Sequence, residues 1–116
     1  MQTKTLIMTA LAVLVLPALA AQDVMQFHPR QLKVLAENDK VRVLRFAPMK
    51  GDTTPMHSHP QTVVYVVKGG KIRLSEPDGK SNIVELKSGE TQIRGPVTHS
   101  DEALDDMEVI LVELKK

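Results

Sequence analysis

The feature that most limits how this chain can fold is a series of short β-type segments, with no amphipathic helical stripe among them. Each segment is rich in Val, Ile or Leu, and Gly, Pro, Asp or Ser residues separate one segment from the next. The segments are residues 41–46, 62–67, 71–74, 83–86, 91–93 and 107–114. Short strands at such intervals are typical of an all-β sandwich or barrel.

Local patterns add detail to this prediction. Residues 62–67 are apolar at both alternating sets of positions, which favours an inner strand. Gly69-Gly70 resembles a two-residue hairpin turn leading into the strand at 71–74. Residues 34–35 would form an added edge strand, and any helix would be confined to the region near 27–32.

The first 20 residues have the three parts of a secretory signal. Lys4 supplies the positive charge, residues 6–16 are apolar, and Ala18-Leu19-Ala20 is a cleavage signal of small residues. An uncleaved anchor helix is the alternative, but an apolar run of 11 residues is short for a membrane span, which needs ~20. We therefore expect a signal peptide over 1–20, one domain over 21–116, and a periplasmic or secreted bacterial protein without membrane contact after cleavage.

Charge and cysteine content narrow the function further. Removing Lys4 leaves 14 Lys and Arg against 14 Asp and Glu, so the mature chain is neutral, which argues against a nucleic-acid partner. Because the chain has no Cys, its stability must come from its core, a metal or a partner chain. We expect a homodimer formed through the N-terminal segment or an edge strand.

Three of the four histidines lie in two short patches, His57-Ser58-His59 and His99. Residues i and i+2 of a strand share one face, so an extended segment directs both imidazoles of the first patch to one place. His99 could add a third nitrogen from another strand, and three such nitrogens make a divalent transition-metal site with open positions. The alternative is polar surface on a loop. His28 is interpreted as ordinary surface.

The spacing of these residues resembles the first motif of the cupin superfamily, in particular its small single-domain members. That motif has a Gly, five residues, His-x-His, a short spacer, a Glu, six residues and a closing Gly. Here Gly51 precedes His57-Ser58-His59 by the expected interval, and Gly70 stands at the closing position.

The second cupin motif is also present in outline. Gly89 opens it and His99 closes it, with one residue fewer than usual and with Gly95-Pro96 in place of Pro-x-Gly. The resemblance extends over nearly all of the mature chain. It implies an antiparallel cupin (jelly-roll) β-barrel.

One departure changes the expected ligand set. The glutamate ligand of the first motif would fall at Val63 or Val64, and neither can bind a metal. Gln61 offers a weak neutral oxygen, but its position does not match. The resemblance thus implies a three-histidine site, similar to certain cupin dioxygenases that act on thiols or diketones. Three neutral imidazoles leave the charge of the ion uncancelled, which favours an anionic or enolate-type ligand. Imidazole suits Fe, Zn, Ni and Cu.

Two further residues are candidates for catalysis. The Tyr65 hydroxyl could donate a hydrogen bond or act as a general acid, or the side chain could simply be a core aromatic. Arg94 could hold a carboxylate if it faces the barrel mouth, or be solvated surface if it faces outward. The acidic residues at 101, 102, 105 and 106 are interpreted as a solvated turn and not as a Ca²⁺ loop.

The predicted function is a metal-dependent, dioxygenase-like enzyme that acts on a small organic substrate. Iron favours oxygen chemistry, whereas Zn or Ni favours isomerase or hydrolytic chemistry. Two alternatives remain open at this point. One is a non-catalytic module that binds a small ligand with or without a metal, and the other is an accessory protein whose histidines are incidental.

Overall fold

Among residues 22–116, nine antiparallel β-strands form two sheets that enclose the core. The computed structural model describes residues 22–116, so the predicted signal peptide and its cleavage site lie outside the described residues. The strands are β1 (Leu32–Glu37), β2 (Val41–Phe46), β3 (Thr53–His59), β4 (Thr62–Lys68), β5 (Gly70–Ser75), β6 (Ser81–Leu86), β7 (Thr91–Arg94), β8 (Val97–Ala103) and β9 (Glu108–Leu114). One sheet has the order β1-β2-β9-β4-β7 and the other β3-β8-β5-β6. The predicted all-β fold class is confirmed.

Alternation of side chains along the strands explains the core. On β2, Leu44 and Phe46 are buried between the sheets, while Arg45 between them is exposed. On β4, Val64 and Val66 are buried in the same way, and Ile72 and Leu86 meet them from the four-stranded sheet. The core is therefore almost entirely aliphatic, as a chain with few aromatic residues requires.

The β4 strand lies between β9 and β7, so its predicted inner position is correct. Its outward face, however, is open to solvent, because Tyr65 and Val67 keep 48% and 43% of their surface exposed. At the edge of the same sheet, β1 includes the predicted edge residues 34–35. A 3₁₀ turn, Val24–Phe27, precedes it, slightly earlier than the predicted helical region. No helix among residues 22–116 is long and apolar enough to cross a membrane.

The predicted hairpin at Gly69-Gly70 is wrong. The β4 strand ends just before Gly69 and β5 begins at Gly70, and these two strands belong to different sheets, so the chain crosses from one sheet to the other here. A Cβ on Gly69 would lie 2.3 Å from the carbonyl oxygen of Leu86, and one on Gly70 would lie 2.8 Å from Cγ of Met107. Glycine is needed for close approach at this crossing, and the sequence pattern is the same as that of a tight turn.

The β3 strand contains an irregularity just before the first histidine pair. The loop predicted over 48–55 ends early, since β3 already begins at Thr53. The pairing of β3 with β8 shifts register between Thr54 and His57, which is the signature of a β-bulge. Because of this shift, Thr54 and His57 are both buried although they are three residues apart.

Candidate metal centre

Two neighbouring strands bring three histidines together. The β3 strand carries His57 and His59, and β8 carries His99, whose Cα is paired with that of His57. The ring centre of His57 lies 4.7 Å from that of His59 and 4.8 Å from that of His99. One ligand nitrogen from each of the three rings lies within 4.8 Å of the other two. The cluster predicted from the sequence therefore exists as a geometric unit.

Hydrogen bonds determine which ring nitrogens face inward. Nδ1 of His57 lies 2.6 Å from the carbonyl oxygen of Pro55, which can only accept, so Nδ1 donates. Nδ1 of His59 lies 2.6 Å from Oε2 of Glu113 and donates to it. In the neutral rings, each Nε2 is then left with a free lone pair.

These two Nε2 atoms lie 2.9 Å apart. Two lone pairs at this distance repel each other unless a cation, either a proton or a metal ion, lies beside both. Burial lowers the pKa of His57, although its hydrogen bond to Pro55 acts in the opposite direction, so a proton on the His57 Nε2 is disfavoured. Two nitrogens that each lie about 2.1 Å from one ion, with a right angle between the two bonds at the ion, are about 3.0 Å apart. The donor pair thus fits a transition metal.

His99 completes the donor set in a neutral state. It is buried, and burial lowers its pKa to about 3, with the neighbouring His57, His59 and Arg94 acting in the same direction. At neutral pH its ring is uncharged and offers a lone pair. A metal ion would therefore not have to displace a proton from it.

A buried ion pair supports His59 from behind. Glu113 is 2% exposed in its side chain and accepts a hydrogen bond of 2.7 Å from Nε of Arg42 on Oε1. Arg42 also donates from Nη2 to Oδ1 of Asp23, at 3.0 Å. A carboxylate on the far nitrogen of a ligating histidine orients the ring and raises its basicity. The sequence analysis did not find Glu113, although a charged residue on the inward face of β9 with Val109 was the available signal.

The histidines line one part of a cavity of about 60 Å³ between the sheets. Its other walls are mostly aliphatic and include Val64, Leu74 and Leu111. At ~15 Å³ for each water molecule, this volume holds about four waters. A ligand in this cavity must be small.

Of the two orientations open for Arg94, the structure shows the inward one. Arg94 lines the cavity from β7, and its Nε donates to Oε1 of Gln92 at 2.8 Å. Burial lowers its pKa, although Glu90 opposes the shift. No carboxylate of residues 22–116 forms an ion pair with Arg94. The guanidinium group is therefore available to an anionic ligand.

Tyr65 and Gln61 are not part of this site. The inward residues of β4 are Thr62, Val64 and Val66, so Tyr65 points to the opposite face and does not line the cavity. Gln61 is exposed and does not line it either. Val64, one of the two positions where the cupin motif could place a carboxylate, does line the cavity and presents an apolar side chain.

The prediction of a solvated acidic turn was wrong for Asp101. The β8 strand continues through Asp101, whose side chain is only 7% exposed and whose Oδ2 lies 4.0 Å from Nε2 of His57. Burial raises its pKa to about 6, while a hydrogen bond from the Thr54 hydroxyl opposes this shift. The available signal was its position two residues after His99, on the same face of a strand.

The remaining predicted polar residues lie elsewhere. Glu102 pairs with Arg73, Asp105 accepts from the Lys71 amide, and Asp106 accepts from the Lys50 amide. His28 is exposed and does not belong to the cluster, as predicted.

Comparison with solved structures supports the cupin fold. A cupin domain protein from Bordetella pertussis Tohama I is 25% identical, with a TM-score of 0.66 over 73% of this chain and 92% of that chain. A cupin superfamily protein from Desulfitobacterium hafniense DCB-2 is 13% identical, with a TM-score of 0.58 over 73% of this chain and 76% of that chain. KdgF from a Halomonas species is 20% identical, with a TM-score of 0.53 over 73% and 79%. No protein-family model and no curated protein matches the sequence.

Proposed function

We propose that this protein is an exported metal-binding cupin that holds a divalent transition metal through His57, His59 and His99. In this proposal it is a metal-dependent, dioxygenase-like enzyme that acts on a small anionic organic substrate. The cupin fold and the cluster of three histidines support metal binding. Fe, Zn, Ni and Cu all suit imidazole ligands.

One observation carries the proposal. Two Nε2 atoms lie 2.9 Å apart while the Nδ1 atoms of both rings donate to Pro55 and Glu113. A pair of converging lone pairs in a buried place is unfavourable without a cation. Since burial disfavours the protonated form of His57, a metal ion is the cation that best fits.

The surrounding residues indicate what the site would do with a substrate. Arg94 can hold a carboxylate or enolate oxygen, because its guanidinium has no carboxylate partner among residues 22–116. The mostly aliphatic walls and the cavity volume of about 60 Å³ limit the ligand to a few non-hydrogen atoms. A bound ion would supply Lewis acidity, and Fe would add oxygen chemistry.

Metal content is the primary test. The full chain, produced without a polyhistidine tag, should contain about one transition-metal ion per chain by elemental analysis. The His57→Ala/His99→Ala double variant should lose it. His28→Ala is the matched control, since it removes an exposed histidine outside the cluster, and it should retain the metal. Equal metal content in the double variant and the wild type would refute the proposed site.

Catalysis and ligand binding need a separate test. Oxygen consumption by the iron-loaded protein with a panel of small keto, hydroxy and thiol acids would support the hypothesis of a dioxygenase-like enzyme. Binding of one of these acids without turnover, by any metal form, would instead support a non-catalytic ligand-binding module. In either case the Arg94→Met variant should bind the acid more weakly, because the guanidinium is lost.

Export and dimerisation belong to the same proposal. The signal-like residues 1–20 support export, which N-terminal sequencing of periplasmic protein would test through an Ala21 terminus. The edge strand β1, with Leu35 47% exposed, supports a homodimer through that edge. Sedimentation should show a dimer for the wild type and a monomer for Leu35→Glu.

A further inference from the structure

The cavity contains a buried carboxylate that the protein itself leaves incompletely paired. Oδ1 of Asp101 is the only buried side-chain oxygen or nitrogen among residues 22–116 without a hydrogen-bond partner. Its side chain is 93% buried, given its 7% exposure. Buried polar groups in folded proteins are nearly always paired, and an unpaired carboxylate is especially unfavourable. A bound ion or ligand is therefore expected to interact with this carboxylate.

The position of Asp101 indicates what this partner is. Asp101 follows His99 by two residues on β8, so both side chains face the cavity. Its Oδ2 lies 4.0 Å from Nε2 of His57, which is too far for a hydrogen bond but leaves room for a third atom between them. Arg94 lines the same cavity but forms no ion pair with Asp101. The carboxylate of Asp101 thus approaches the histidine cluster through Oδ2, while Oδ1 is its oxygen without a hydrogen-bond partner.

The cluster in turn lacks a negative charge. The three imidazoles are neutral ligands, and Val64, one of the two positions where the cupin motif could place its carboxylate, is an apolar cavity wall. A divalent ion held by neutral donors in an aliphatic cavity keeps its full charge at low dielectric, which is unfavourable. A carboxylate on β8 would reduce that charge by one, although it lies on a different strand from Val64.

We propose that Asp101 supplies the one negative charge of this metal centre, meeting the ion directly or through one bound water molecule. This inference rests on the proposed three-histidine site. Thr54 orients the carboxyl by a hydrogen bond, and Gln31 in turn donates to Oγ1 of Thr54 at 3.1 Å. The substrate class follows from the reduced charge, because a monoanion would neutralise the remaining charge of the site.

The test is a metal titration that does not depend on activity. Metal-free wild type and Asp101→Asn are titrated with Zn²⁺ in competition with a chelator. The variant should still bind one ion per chain, but about 10- to 100-fold more weakly, as for other residues that support a metal site. Glu102→Gln is the matched control, because it removes the same charge from the next residue of β8, which pairs with Arg73. Its affinity should equal that of the wild type.

A second measurement separates a role at the ion from a role in folding. In the Co²⁺-loaded proteins, azide should bind more tightly to Asp101→Asn than to wild type, because the site carries one more positive charge. Unfolding of the metal-free variant should show no loss of stability, since an unpaired buried carboxylate has been removed. Equal Zn²⁺ affinity of Asp101→Asn and wild type would overturn the inference while leaving the histidine site intact. Zn²⁺ binding that survives His57→Ala/His99→Ala would overturn both proposals.

Discussion

Replacing Arg42 by Met should destabilise the protein strongly, because it leaves Glu113 as a buried carboxylate without its cation. The Arg42 side chain is 12% exposed and that of Glu113 is 2% exposed, so water cannot replace the lost partner. His59 would remain as the only contact on the other oxygen of Glu113. The perturbation therefore reaches from β2 through β9 to the histidine cluster.

The size of the effect follows from this burial. Breaking a buried ion pair by removing one partner typically costs about 3–5 kcal/mol. For a domain of this size each kcal/mol lowers Tm by roughly 4–8 °C, so a fall of roughly 12 °C or more is expected. A surface pair costs ~1 kcal/mol or less. Arg45 on the same strand is 46% exposed and pairs with Glu108, so Arg45→Met is the matched surface control.

The assay is urea unfolding of the metal-free proteins, followed by circular dichroism. The double variant Arg42→Met/Glu113→Gln should be more stable than Arg42→Met alone, because the neutral amide needs no cation and still offers an oxygen to Nδ1 of His59. A loss of stability in Arg42→Met no greater than in Arg45→Met would refute the reasoning. So would a double variant that is no more stable than the single one.

Three further predictions concern the pH dependence of stability, the packing of the core and the close contact of a glycine with another backbone segment. The pKa of His99 is about 3 against an ordinary 6.5. The neutral ring therefore contributes about 5 kcal/mol to the free energy of unfolding above pH 6.5, and this contribution is lost as the pH falls to 3. The pKa of Asp101 is about 6 against an ordinary 3.8, so its effect is opposite. The protonated carboxyl contributes about 3 kcal/mol to the free energy of unfolding at low pH, and this contribution is lost as the pH rises from 3.8 to about 6. Metal-free Asp101→Asn should therefore lose more stability on acidification than wild type, and equal slopes in urea titrations would contradict this. Leu44→Ala, at 0% exposure, should cost about 2–5 kcal/mol in urea unfolding, whereas Ile93→Ala at 73% exposure should cost ~0.5 kcal/mol or less. Gly69→Ala should lower Tm because its Cβ meets a backbone oxygen at 2.3 Å, whereas Gly95→Ala, with open space, should not.

Much of the candidate site was predictable because its signal is local. Two histidines separated by one residue share a face in any extended strand, and this required no knowledge of the partner strands. His99 was predicted as a third donor from another strand, and the likeness of the Gly51 to His99 spacing to cupin motifs supported it. The apolar alternation of β2 and β9 likewise indicated strands without reference to the rest of the fold.

Other residues could not be assigned because their roles depend on contacts across strands. Glu113 supports His59 from a strand that lies 54 positions further along the chain. The bulge between Thr54 and His57 depends on pairing with β8, and it brings Thr54 against Asp101. None of these relations leaves a periodic signal in the sequence.

The sequence by itself determined the β class, the approximate strands and the convergence of His57 with His59, since each follows from the alternation of side chains along one strand. Only the tertiary structure decided that Arg94 and Asp101 face the cavity while Tyr65 faces solvent. The physical reason is that alternation defines two faces of a strand but not which one is covered. The packing of the second sheet makes that choice, and it buried a carboxylate beside the histidines.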